Sequence, residues 1–236
     1  MWPRTPASTN DPSLGAPYVL LWFATHMIAR RYAIPSFGCG IVGGTYRWRS
    51  AVGLITQLVA LPMLLCFAVS VETDLTKWSI RCSAHGLGAH DWGFVYIFGG
   101  LMCIDFIQLQ LSPLLKLHHA TCLGGHAYAC CNPVAFPAYM CAVVALELGS
   151  AGSGMNCLRP KAFSAAQLVM VMAASNLAAL GCLWQWHALM HEQRVGRWVG
   201  AMISIVLIVV RQNDAIQLWR ATHSRTSGCN VQTHGD

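Results

Sequence analysis

The chain has 236 residues, 55% of them hydrophobic and only 10% charged. Soluble domains carry about 25% charged residues, so a soluble globular protein is excluded and one polytopic membrane domain is expected. The formal net charge of +6 comes from Lys and Arg scattered through short connecting segments, as expected of membrane-flanking anchors rather than a nucleic-acid surface.

In chain order, residues 1–15 form a polar, Pro-bearing tail containing Arg4 and Asp11. The tail lacks a basic region leading straight into an apolar core with a small-residue cleavage site, so the first span is expected to act as its own signal. A helix needs roughly 20 apolar residues to cross the hydrocarbon. Seven stretches come close: about 16–34, 51–71, 92–112, 114–131, 134–150, 164–190 and 197–218. The second and sixth carry the strongest signal. The first is interrupted early by Arg30 and Arg31, and the fourth is short and holds histidines. Ala173, Ala174, Ser175, Ala178, Ala179 and Gly181 give the sixth the small residues that let membrane helices approach closely. The fold class is therefore all-α, a transmembrane helical bundle without a sheet, followed by a polar tail over 220–236.

Seven spans would place the two termini on opposite faces. Of the 15 Lys and Arg, ten fall on the C-terminal side, among them Arg30, Arg31, Arg47, Arg49, Arg159 and Lys161, and five on the other. Positive charge prefers the cytosolic or matrix face, which puts the C-terminus there. The endoplasmic reticulum and the mitochondrial inner membrane both fit.

Several patterns carry less chemistry than they promise. Gly38, Gly40 and Gly43 match GxGxxG, but a dinucleotide fingerprint follows a strand and precedes an acid about 20 residues on. Here the first downstream acid is Glu72, so a flexible connector is expected. Several of the eleven cysteines lie in apolar runs, and none are spaced CxxC, so they read as small hydrophobes and not as a metal or redox motif. His187 and His191 lie four apart, with Glu192 after them, but HExxH order is absent, and a membrane-edge pair is the simpler expectation. The histidine set of membrane di-iron enzymes and the HxxHH box of elongases are also missing. Arg211 and Asp214, three apart, are expected to pair on one helix face.

Polar groups inside apolar spans are the sharpest signal, because ionisable side chains in hydrocarbon mark protein interiors or watery cavities. The adjacent pair His118–His119, with Asp105, His126 and Glu147, is expected to share such a cavity. The pattern Arg47-Trp48-Arg49, then Asp105, then His118-His119 after Ser112-Pro113, then Glu147-Leu148-Gly149-Ser150 28 residues beyond His119, resembles the TLC-domain family, which includes the ceramide synthases. The resemblance covers roughly 47–219 and implies a six-helix core, preceded by an extra N-terminal helix and connector over 16–46.

It also implies a lipid-related role: lipid binding, membrane lipid homeostasis, or acyl transfer from acyl-CoA. In the acyl-transfer case His118 or His119 would be the base, and Asp105 would orient the imidazole. Glu147, His126 and Ser150 would line the lipid site, and Gly124-Gly125 would let a chain approach the backbone. The acidic element that follows the paired histidines in ceramide synthases is absent from HHATCLGGHAYACC, which places the chain with a divergent branch. Membrane lipids are the expected partners. A non-catalytic subunit of a larger membrane complex is the alternative.

Overall fold

A computed structural model describes the backbone of residues 11–38, 40–42, 45–71, 74–108, 113–159, 161–190 and 194–229, and their side chains except those of 41, 42, 45, 105–108, 113–115, 194 and 222–229. Most of the tails, Gly43, His191, Glu192 and the side chain of Asp105 lie outside the described residues.

The described chain is helical almost throughout. A short 3-10 turn, Pro12–Gly15, leads into α1 (Ala16–Phe37), α2 (Arg47–Ile55), α3 (Leu61–Val71), α4 (Leu75–His85), α5 (Ala89–Gln108), α6 (Pro113–Cys131), α7 (Phe136–Leu158), α8 (Ala165–Leu189) and α9 (Arg194–Cys229). The described parts of the seven apolar stretches fall in these helices and the turns that join them, but not all are built to span. Four segments are long and apolar enough, α2–α3, α7 with its leading turn, α8 and α9, and a fifth is available if the bent pair α4–α5 counts as one. These mark an integral membrane protein. α1 and α6 fall short of that standard: Arg30 and Arg31 interrupt α1, and Lys116 and the paired histidines polarise the start of α6. α9 also outruns the expected last span, because the polar sequence after Trp219 continues the helix.

Local chemistry explains the boundaries. Asp74 caps α4 by accepting from the backbone N of Thr76 at 2.7 Å. Ser164 and Gln167 form a reciprocal capping box on α8. α1 and α4 end at Gly38 and Gly86, with φ of 73° and 76°, a backbone region that suits glycine. Between α2 and α3, Thr56–Ala60 widens into a π turn just before Pro62, whose missing N–H and bulky ring break the regular ladder. The expectation of no sheet needs one correction. Ile41–Val42 pairs antiparallel with Thr45–Tyr46, a minimal hairpin across the glycine-bearing connector, which therefore has no strand-to-helix nucleotide geometry.

α7 is the central helix, packed on α2, α3, α4 and α8, while α9 covers α8 from outside. Close approach of α7 and α8 depends on Gly149, where a Cβ would collide with Ser175 Oγ. The main core gathers Trp78, Phe94, Phe98, Phe136 and Met140 with Leu61 and Leu64. Arg47 donates to the carbonyl of Leu158 at 3.1 Å, and Arg30 stacks on Trp48 at 5.2 Å. These contacts gather Arg30 of α1 and Arg47 of α2 with the C-terminal end of α7 at one end of the bundle.

At the other end, α4 meets α5 at 91°. The turn closes on Asp91, only 1% exposed, which accepts from the backbone N of Gly88 at 2.7 Å, Arg81 Nη2 at 2.9 Å and Trp78 Nε1 at 3.2 Å.

Candidate functional site

Helical periodicity sorts the polar groups of α6 into two stripes. His118, Thr121, Cys122, Gly125, Tyr128 and Ala129 follow the i, i+3, i+4, i+7 spacing of one face, and all of them line an internal cavity. α7 adds Leu146, Glu147 and Ser150, α8 adds Leu183 and Trp186, and α9 adds a stripe from Gly196 through Ser204 and Ile208 to Arg211. The cavity holds about 360 Å³. Gly124 and Gly125 have open space where a side chain would stand. On α9, by contrast, a Cβ at Gly200 would lie 2.5 Å from Trp186, so glycine there lets α9 close against α8.

α6 and α9 touch each other little, meeting closely where Tyr128 covers Gly196. Beside that contact lies a second lobe of about 480 Å³, lined by Leu117, Met202 and Val206 and sharing His118, Thr121, Ile203, Leu207 and Arg211 with the first. Leu117, Met202 and Val206 are exposed, so the outer lobe opens sideways from the bundle through apolar walls.

The inner end is polar. Arg211 Nη2 donates to the Leu146 carbonyl at 2.6 Å and lies 3.2 Å from both Ser150 Oγ and Met172 Sδ. Glu147 accepts from Gln57 Nε2 at 2.8 Å, which ties the π turn to the cavity wall, and it interacts electrostatically with Arg211. His118 Nε2 lies 3.7 Å from Cys122 Sγ, and its ring stands edge-on to His119 with centroids 5.5 Å apart. A cation, a carboxylate and an imidazole therefore share one apolar-walled site, where weak dielectric screening strengthens their interaction.

Of the residues expected to converge, His118, Glu147 and Ser150 do line this cavity. His119 is buried beside them but is not among the lining residues. Asp105 lies on α5 with its side chain outside the described residues. His126 belongs to the other stripe of α6, seven residues after His119. Its Nδ1 lies 2.9 Å from Tyr139 Oη and its Nε2 2.9 Å from the Val95 carbonyl, and Gly99 makes room for it. With both ring nitrogens engaged between α5 and α7, His126 is a packing residue of the bundle rather than part of the cavity.

Two further expectations change. Arg211 does not pair with Asp214: it turns inward to α7, while Asp214 is exposed, because a buried carbonyl and hydroxyl offer Nη2 acceptors that lipid could not. His187 packs edge-on against Trp198 at 4.8 Å, and among the described residues no group of three or more His, Cys, Asp or Glu could hold a metal.

Arg211, Gln57 and Cys122 were not singled out for this site from sequence. Arg211 was within reach of the same periodicity, as the last member of the 200, 204, 207, 208, 211 stripe. Gln57 was not, because the π turn shifts its direction off the regular helical repeat. No protein-family model matches this chain, and neither does any curated protein or solved structure.

Proposed function

We propose that this integral membrane protein takes up a lipid from the bilayer into the cavity between α6, α7, α8 and α9. The observation that carries the reading is the shape of the site: apolar walls, a lateral opening between α6 and α9, and an inner end bearing His118, Glu147, Ser150 and Arg211. Charged and titratable side chains are costly in hydrocarbon and are kept where they meet a polar ligand or each other.

Within this reading the role is in membrane lipid homeostasis. The chemistry suggested by the resemblance to TLC-domain proteins is acyl transfer to a lipid acceptor, with acyl-CoA as donor. His118 is then the group able to take a proton from the acceptor, because it lines the cavity and His119 does not. Glu147 and Arg211 would order charge around it.

The test compares cells lacking the protein with cells carrying wild type, His118→Ala or His119→Ala at equal abundance. The reading expects a lipid profile changed by deletion, restored by wild type and not restored by His118→Ala. Restoration by His118→Ala would rule out chemistry at that imidazole. A profile indifferent to deletion would remove the lipid role.

A further inference from the structure

The inner end of the cavity holds a cation that is only partly used. Building on the lipid-binding reading, we infer that the ligand is a single-chain lipid with a carboxylate head, a free fatty acid. Its carboxylate docks on Arg211, and its chain leaves through the gap between α6 and α9.

A guanidinium carries five N–H donors. All the hydrogen bonds Arg211 makes among the described residues run through Nη2, which leaves the N–H groups of Nε and Nη1 for another acceptor. Arg211 lines both lobes, which places the residue beside the space a ligand would fill. A guanidinium in an apolar site favours a carboxylate or phosphate, for which its planar donor set is suited.

The surroundings decide between the two heads. Arg211 is the one Arg or Lys among the described lining residues, and two carboxylates line the lobes with it, Glu147 at the inner end and the exposed Asp214 on the outer lobe. With one guanidinium set against two carboxylates, a doubly charged phosphate is disfavoured most, whereas a monoanionic carboxylate asks only for the donors that this guanidinium leaves over.

The walls decide the tail. One groove leads outward, between Leu117 and Thr121 on α6 and Met202, Ile203 and Val206 on α9. The lobes of about 360 and 480 Å³ fall in the range of about 300–1,000 Å³ that holds a small ligand. A single groove with exposed apolar lips accepts one chain directly from the bilayer.

The experiment measures binding of radiolabelled palmitate, hexadecanol and a lysophosphatidic acid to the purified full-length protein in phosphatidylcholine nanodiscs. Palmitate should bind at least about tenfold more tightly than hexadecanol, as a charge-assisted hydrogen bond implies. Arg211→Gln should abolish that preference, and Arg211→Lys should keep part of it. Ile203→Trp, which fills the shared wall of the two lobes, should weaken all three probes.

Equal binding of palmitate and hexadecanol by the wild type, or a preference surviving in Arg211→Gln, overturns the carboxylate assignment. A preference for the lysophosphatidic acid overturns it in favour of a phosphate head. In each case weakening by Ile203→Trp would leave the lipid cavity standing. If no probe binds, or if Ile203→Trp changes nothing, the cavity reading itself fails. Should Arg211→Gln not fold, because it loses the bond to Leu146, the head-group series on the wild type decides alone.

Discussion

Asp91 and Arg211 are both charges enclosed by the bundle, and they are handled in opposite ways. Asp91 accepts from a backbone amide, a guanidinium and an indole within 3.2 Å, at a joint where α4 turns into α5. No cavity described in the molecule includes it. Arg211 spends one of its three nitrogens on α7 and α8 and lines two adjoining lobes. A buried charge whose partners are all supplied by the fold holds two elements together. One whose partners are incomplete, beside open volume, marks a place for something the fold does not supply. The same distinction separates His126, with both nitrogens engaged and no lining role, from His118, which faces the cavity.

The largest effect expected from breaking this contrast is at the joint. Asp91→Ala leaves Arg81 and the Gly88 amide without their acceptor and should cost about 3–5 kcal/mol, read as a lower unfolding midpoint in a denaturing-detergent titration. Lipid binding by the molecules that remain folded should be unchanged. A stability loss below about 1 kcal/mol would show that solvent replaces the carboxylate and that the joint is not closed.

Gly149→Val comes next. It drives side-chain atoms into Ser175 Oγ and against Arg211 Nη2, 3.0 Å from where a Cβ would lie. Overpacking of this kind costs about 1–3 kcal/mol. Because the strain falls on both helix packing and the cavity floor, this variant should lose stability and ligand binding together. A variant that keeps full binding would separate Arg211 from the α7–α8 seam.

His126→Phe should destabilise by about 1–2 kcal/mol through two lost hydrogen bonds and leave lipid binding alone. His118→Ala should do the reverse. Equal effects of the two histidines on binding would erase the distinction between the two stripes of α6.

The smallest effect concerns α4. The Asp74 carboxyl is held below its ordinary value of 3.8, first by the hydrogen bond from the Thr76 amide. Its capping contribution is present above 3.8 and is lost as pH falls through the lower folded value. Melting curves of wild type and Asp74→Ala should therefore differ at neutral pH and converge in acid. A gap that persists in acid would contradict the cap.

Much of the fold was legible from composition and periodicity. The apolar stretches at 51–71, 134–150, 164–190 and 197–218 each became part of a helix long enough to span, because hydrocarbon leaves an apolar segment no other way to satisfy its backbone. His118 and Glu147, which line the cavity, were legible as candidate residues on the same ground, since a polar group within such a run requires a reason, while Ser150 was named only through the family resemblance. Less legible was which way each one turns. His118 and His119 are neighbours in the chain, yet a helix rotates successive residues to different faces, and only the first lines the cavity. The spacing 118, 121, 122, 125 carries that information once the neighbouring helices are known. Nothing in the chain marks which of the two stripes meets α9.

By itself, then, the sequence determined an integral membrane protein of helices, with caps at Asp74 and Ser164, glycine stops at Gly38 and Gly86, and a small set of polar residues inside apolar runs. Those outcomes rest on local propensities and on the insolubility of polar backbone in hydrocarbon, both of which act within one segment. Only the tertiary structure decided that Arg211 leaves Asp214 for the carbonyl of Leu146, 65 residues away, that Gln57 reaches Glu147, and that α6 and α9 stand apart to open the cavity. Such pairings depend on how helices pack across the bundle, where glycines such as Gly149 and Gly200 set the distances, and no single segment encodes its neighbour's position.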